Sequence, residues 1–147
     1  MTAKFAALVL LSSAIGLANV RAADSGAAGA PSSAVPVDAD PASLQHRLMT
    51  QALVLHGDID GEKIQLSLQP KKDEDGLEGR YFIFGQSAQI LVAGEVAGDD
   101  LLMEESRNGK DVSGQWDGHR NGDRISGTWS NYDGTVSKPF FLQLPPQ

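Results

Sequence analysis

Residues 112–130, VSGQWDGHRNGDRISGTWS, decide the fold. Two copies of one pattern, Val112-Ser-Gly-Gln-Trp116 and Ile125-Ser-Gly-Thr-Trp129, flank the dipeptide Asn121-Gly122. Period-two alternation marks a strand, and Asn-Gly supplies the two positive φ angles of a tight hairpin turn. With Asn121-Gly122 at the centre of a two-residue turn, Gly118 is predicted to pair with Ile125, Trp116 with Gly127 and Gly114 with Trp129. Each indole then covers a glycine. An aromatic ring fills the hole a glycine leaves in a sharply curved sheet, so the motif is read as packing rather than as a sugar or ligand signature. Leu77-Glu-Gly-Arg-Tyr81 is a third copy.

The same punctuation recurs outward from this hairpin. Asp60-Gly61, Asp75-Gly76, Ala97-Gly98, Asn108-Gly109 and Asp133-Gly134, with Gly85-Gln86-Ser87, bound runs near 52–59, 62–69, 77–84, 89–96, 100–106, 111–119, 124–130 and 135–144. Eight strands without a helical period follow. Asp60-Gly61 sets Gly57 against Ile64 and Leu55 against Leu66. Asn108-Gly109 sets Glu105 against Val112, Met103 against Gly114 and Leu101 against Trp116. One face collects Leu53, Leu55, Ile64, Leu66, Leu68, Leu77, Tyr81, Ile83, Ile90, Val92, Leu101, Met103, Val112, Trp116, Ile125 and Trp129, and the other face is largely polar. An isolated meander keeps two long unpaired edges, and closure removes both. The predicted domain, 43–147, is therefore all-β: an antiparallel up-and-down meander closed as an eight-stranded barrel, preferred to a curled open sheet or a two-layer sandwich. Eight strands leave room for little beyond their own side chains, so a filled interior is expected.

The order Gly57-x-Ile59, Gly79-x-Tyr81, Ile90-x-Val92-x-Gly94, Leu101-x-Met103-x-Glu105, Val112-x-Gly114-x-Trp116, Ile125-x-Gly127-x-Trp129 and Pro139-Phe140-x-Leu142 resembles uncharacterised exported bacterial β-meander domains over most of residues 52–144. That resemblance implies export and a β-barrel and brings no assigned activity. Ile125-Ser-Gly-Thr-Trp-Ser-Asn131 is similar to the first hairpin of the biotin-binding avidin barrels. The likeness covers one hairpin, in the last part of the chain, and carries over no ligand-binding residue.

Ahead of the domain, Lys4 precedes an apolar run from Phe5 to Leu11 that continues through Ala14 to Ala18 and ends in the small-residue stretch Val20-Arg21-Ala22. This is the three-part pattern of a secretory signal peptide over 1–22, cleaved near Ala22 or Ala23, and too interrupted by polar residues for a membrane span. Residues 23–42, ADSGAAGAPSSAVPVDADPA, have no apolar face to bury and read as a flexible Ala/Gly/Ser/Pro linker. A periplasmic or secreted protein is expected. With no cysteine in the chain, neither a disulfide nor a lipid-bearing cysteine is available. Loss of 1–22 removes Lys4, Arg21 and no acid, moving the formal charge from −7 to −9. That balance argues against nucleic acid and anionic lipid as partners, and no membrane insertion of the mature chain is expected.

The domain is poor in the usual marks of catalysis. His46, His56 and His119 have no second histidine or carboxylate at metal-ligand spacing, and no serine sits in a nucleophile-elbow context. The glycines lie in turns or alternate along strands, not in a phosphate-cradling loop. The acidic turns Asp58–Glu62 and Asp73–Gly76 lack the spacing of a twelve-residue calcium loop. Neither metal nor cofactor is expected. Two polar residues do fall on the inner face, Glu105 and Lys138. A carboxylate inside a barrel is costly without partners, and Tyr81, Trp116 and Trp129 each carry a donor able to reach it, making these four the candidate ligand-binding set. Its place beside a turn nevertheless predicts a hydrated Glu105 at the rim.

On the outer face, a four-residue link from Gly85 to Ala88 would pair Phe84 with Gln89, Phe82 with Leu91 and Arg80 with Ala93. Phe82, Phe84, Leu91, Ala93 and Leu102 then make one apolar strip, a candidate interaction surface. A short helix capped near Asp40-Pro41, with Leu44, Leu48 and Met49 on one side, is the alternative cover for that strip. The functional expectation is a non-enzymatic exported protein that binds an envelope protein or a small ligand. The alternatives are an envelope hydrolase or isomerase using Glu105 as acid or base, which needs a wet pocket there, and a structural or inhibitory accessory protein.

Overall fold

In the computed structural model, residues 42–146 are described. The expected signal peptide, and all but the last residue of the expected linker, lie outside the described residues. A short helix α1 (Leu44–Thr50) leads into β1 (Leu53–Ile59), β2 (Glu62–Pro70), β3 (Leu77–Ile83), β4 (Gln89–Ala97), β5 (Asp100–Ser106), β6 (Gly114–Asn121), β7 (Arg124–Asn131) and β8 (Ser137–Gln143). Each strand pairs antiparallel with the next, and β8 returns to β1 through His56–Gln143, Gly57–Leu142, Asp58–Phe141 and Ile59–Phe140. The sheet is a closed barrel in strict chain order.

Alternation explains the core. The inner side chains of all eight strands meet Leu44 and Leu48 of α1 in one buried cluster, with Trp116 and Tyr81 its largest fully buried members. The inner-face residues expected from the sequence are there, except that Val112 lies ahead of β6 and only half-buried.

Register follows the turns. At Asp60-Gly61 both φ angles are positive, 51° and 86°, as a type I′ turn demands, and the expected pairs Leu55–Leu66 and Gly57–Ile64 form. Elsewhere the pairing slides by two residues. Asn121 pairs with Arg124, so the turn is centred on Gly122-Asp123, and Gly122 alone has a positive φ, 66°. Glycine at the first central position is the type II′ signature. Trp116 therefore faces Trp129, Gly118 faces Gly127, and the expected Trp–Gly pairing is corrected. Between β5 and β6 the loop is also longer than the expected tight turn at Asn108-Gly109. The Asn108 side chain accepts from the backbone N–H of Lys110 and Asp111, at 2.9 and 2.8 Å, and Glu105 comes to face Gly114 instead of Val112. A slide of two keeps every side chain on its own face.

The helix is not where it was expected. Its N-cap is Ser43, whose Oγ accepts from His46 N, and it closes one end of the barrel instead of covering an outer strip. Leu44 N donates to Asp99 Oδ1, Gln45 N to the Gly98 carbonyl, and the Gln45 side chain accepts from Gly98 N. Arg47 reaches the Pro145 carbonyl at 2.8 Å. Leu44 and Leu48 thus seal the end where β1 begins and β8 finishes.

The outer apolar strip is interrupted. Phe82 pairs with Gln89, Leu91 lies between Arg80 and Ser106, Ala93 between Glu78 and Glu104, and Leu102 between Glu95 and Asp117. The link after β3 begins early, since Phe84 N donates to Lys63 O of β2 and Gln86 N turns back to Ile83 O. Phe82 and Phe84 remain together, with ring centroids 5.4 Å apart.

Candidate functional site

Toward the end opposite α1, four strands converge on one carboxylate. Glu105, the penultimate residue of β5, is 1% exposed. Its Oε2 accepts from Tyr81 Oη of β3 at 2.6 Å, Trp129 Nε1 of β7 at 2.9 Å and Trp116 Nε1 of β6 at 3.2 Å. Its Oε1 accepts from Ser113 Oγ at 3.2 Å. The expected hydrated rim position is thus corrected: the candidate set Tyr81, Glu105, Trp116 and Trp129 is assembled as one hydrogen-bonded group.

Glycine makes the room. Gly114 faces Glu105 across β5 and β6, and a Cβ on it would lie 2.9 Å from Trp129 Nε1 and 3.1 Å from Glu105 Cδ. The aromatic does fill the glycine's hole, but diagonally from the adjoining strand. Tyr81 and Trp116 pack edge to face at 5.3 Å, and Trp116 meets Phe140 at 4.8 Å. Burial, then the neighbouring Glu105 charge, pushes the Tyr81 hydroxyl far above its ordinary range, so it remains a donor.

Among the described residues no ion pair reaches Glu105; Lys138 lies 3.8 Å from Glu62 instead. The charge is held by neutral dipoles alone, an arrangement that rigidifies when every group is partnered. It ties β3, β5, β6 and β7 together. Proton transfer to a substrate would need access to an oxygen that already takes three donors in a packed interior.

The histidines stay apart. His56 bonds Gln65 at 3.0 Å, His119 bonds Asp100 at 2.7 Å, and His46 is exposed on α1. No group of three or more metal-ligating side chains occurs among the described residues. Nor, among them, is any helix long and apolar enough to cross a membrane.

A second feature escaped the sequence reading. An open groove of about 460 Å³ runs over the outside of the barrel, lined by His56, Gly57, Lys63, Ile64, Phe84, Phe141 and Gln143. Its residues come from β8, β1, β2 and, in Phe84, the turn just after β3, across the closing seam. No turn dipeptide sets that pairing, so its one sequence signal was the Phe140-Phe141 pair, which turns one ring in and the other out. No family model, curated protein or solved structure matches this chain.

Proposed function

We propose that this chain is an exported, non-enzymatic binding protein of the cell envelope that engages its partner through the outside of the barrel. The observation that carries this reading is the closed interior, where Glu105 is buried with four donors on its two oxygens. An acid or base must reach the proton it moves, and here the carboxylate serves the fold. The outer surface instead offers a groove and exposed Phe84 and Leu102. Export is supported by the apolar run and small-residue ending of residues 1–22.

Two measurements test this. N-terminal sequencing of the chain recovered from periplasm or medium is expected to start near Ala23, and recovery of uncleaved chain from cytosol alone would refute export. Trp116 and Trp129 are the only tryptophans and both touch Glu105, so a ligand entering the barrel must change their emission. A partner recovered by crosslinking from envelope extract is expected to leave that emission unchanged and to map to outward residues.

A further inference from the structure

Resting on the outer-surface reading, the geometry points to the groove over β8, β1 and β2 as a docking site for an extended segment of a partner protein that carries a carboxylate beside a large apolar side chain. At the groove floor lie Gly57 and Ile64, a β1–β2 pair on the core face of the sheet, so the groove meets their backbone and not side chains. The walls are aromatic, with Phe141 on one side and Phe84, 54% exposed, on the other. A space of about 460 Å³ between them accepts a large apolar side chain.

Two cations flank the Phe141 wall of an otherwise acidic molecule. Arg124 lies 4.5 Å and Lys63 5.6 Å from the Phe141 ring centre. Lys63 is balanced by Asp58 at 3.0 Å, whereas Arg124 has no carboxylate partner among the described residues. By contrast the outward positions of β4, β5 and β6 carry Glu95, Asp100, Glu104 and Asp117 and neither lysine nor arginine. A carboxylate is repelled by that side and received by Arg124, which stands against the Phe141 wall beside the groove and is not part of its lining. The guanidinium, stacked on Phe141, still presents a planar fork of N–H donors that matches a carboxylate. Recognition must run through side chains, because a closed barrel leaves no strand edge to extend.

The test pans a phage-displayed random dodecapeptide library against the full-length chain as isolated. Enrichment of Asp or Glu within two residues of an aromatic or leucine is expected. A synthetic consensus peptide should bind at least about tenfold more weakly, near 1.4 kcal/mol, to the Lys63→Glu/Arg124→Glu double variant, and equally to Leu102→Asp on the opposite side. Both positions are exposed, and circular dichroism checks that the variants keep their fold. No enrichment, enrichment of basic peptides, or binding indifferent to the double substitution overturns the groove. Binding lost in Leu102→Asp also overturns it while leaving the outer-surface reading intact, whereas a peptide that shifts Trp116 and Trp129 emission defeats both. Sedimentation that shows self-association abolished by Arg124→Glu would give the groove to a second copy and likewise overturn the proposal.

Discussion

Glu105 has the most to lose from a single substitution. Hydrogen bonds to a buried charge contribute about 1.5–3 kcal/mol each, and stranded donors add their own desolvation cost. Glu105→Leu, which strands Tyr81, Trp116 and Trp129 at once, is expected to cost about 3–5 kcal/mol in urea denaturation. Glu105→Gln keeps one acceptor and should cost about 2 kcal/mol. A result for Glu105→Leu within about 0.5 kcal/mol of the parent, the scatter of ordinary surface changes, would show that the cluster contributes nothing. Tyr81 gives a pH signature. Its folded pKa lies above the unfolded value of 10.0, so the folded state holds the proton more tightly. The resulting stability is complete below about pH 10 and falls as pH rises toward the folded value. Tyr81→Phe should flatten that alkaline decline in thermal melts; an unchanged slope would assign it to other groups. Alternation alone showed that Glu105 points inward. Its burial did not show, because a tight turn at Asn108-Gly109 puts Val112 beside it, and a valine there would occupy the space that Gly114 leaves to Trp129.

Hairpins are the elements at which reading and structure part. All eight strands were legible from glycine-marked turns, yet of the registers read from those turns only the one at Asp60-Gly61 is correct. Asn-Gly and Asp-Gly fix the place of a turn, but not which residue occupies its first central position. The difference is measurable in β6–β7. Gly122→Val forces a β-branched residue to φ 66° and should cost about 1–3 kcal/mol, although a Cβ there meets nothing within 4 Å. Asn121→Ala should cost less than about 0.5 kcal/mol, since Asn121 is the last strand residue and keeps an ordinary φ. Comparable losses in the two variants would restore the turn centred on Asn121-Gly122. The other slid registers have the same origin in loop length, with the Asn108 side chain bridging one loop and Gln86 N turning the other back on Ile83.

For the whole molecule, the helix at one end and the carboxylate cluster toward the other divide the work of closure. Leu48→Ala is expected to cost about 2–5 kcal/mol, as for a buried leucine elsewhere, and to leave tryptophan emission unchanged because both indoles lie away from α1. An altered emission spectrum at low denaturant would mean that the two ends are coupled. Barrel closure was legible from the absence of any other home for two long edges, whereas the end-plugging helix was not: Leu44 and Leu48 announce an apolar helix face without saying what it covers. The seam also has a mechanical consequence. β1 begins, and β8 ends, at the helix-capped end, and only four residue pairs join them. Tension applied through the two ends of the domain therefore loads those pairs in sequence from His56–Gln143 inward, like a zipper, once the grip of Arg47 on Pro145 fails. A barrel with no free edge at rest is thus poorly suited to carry load between its termini and should part at low force along this one line.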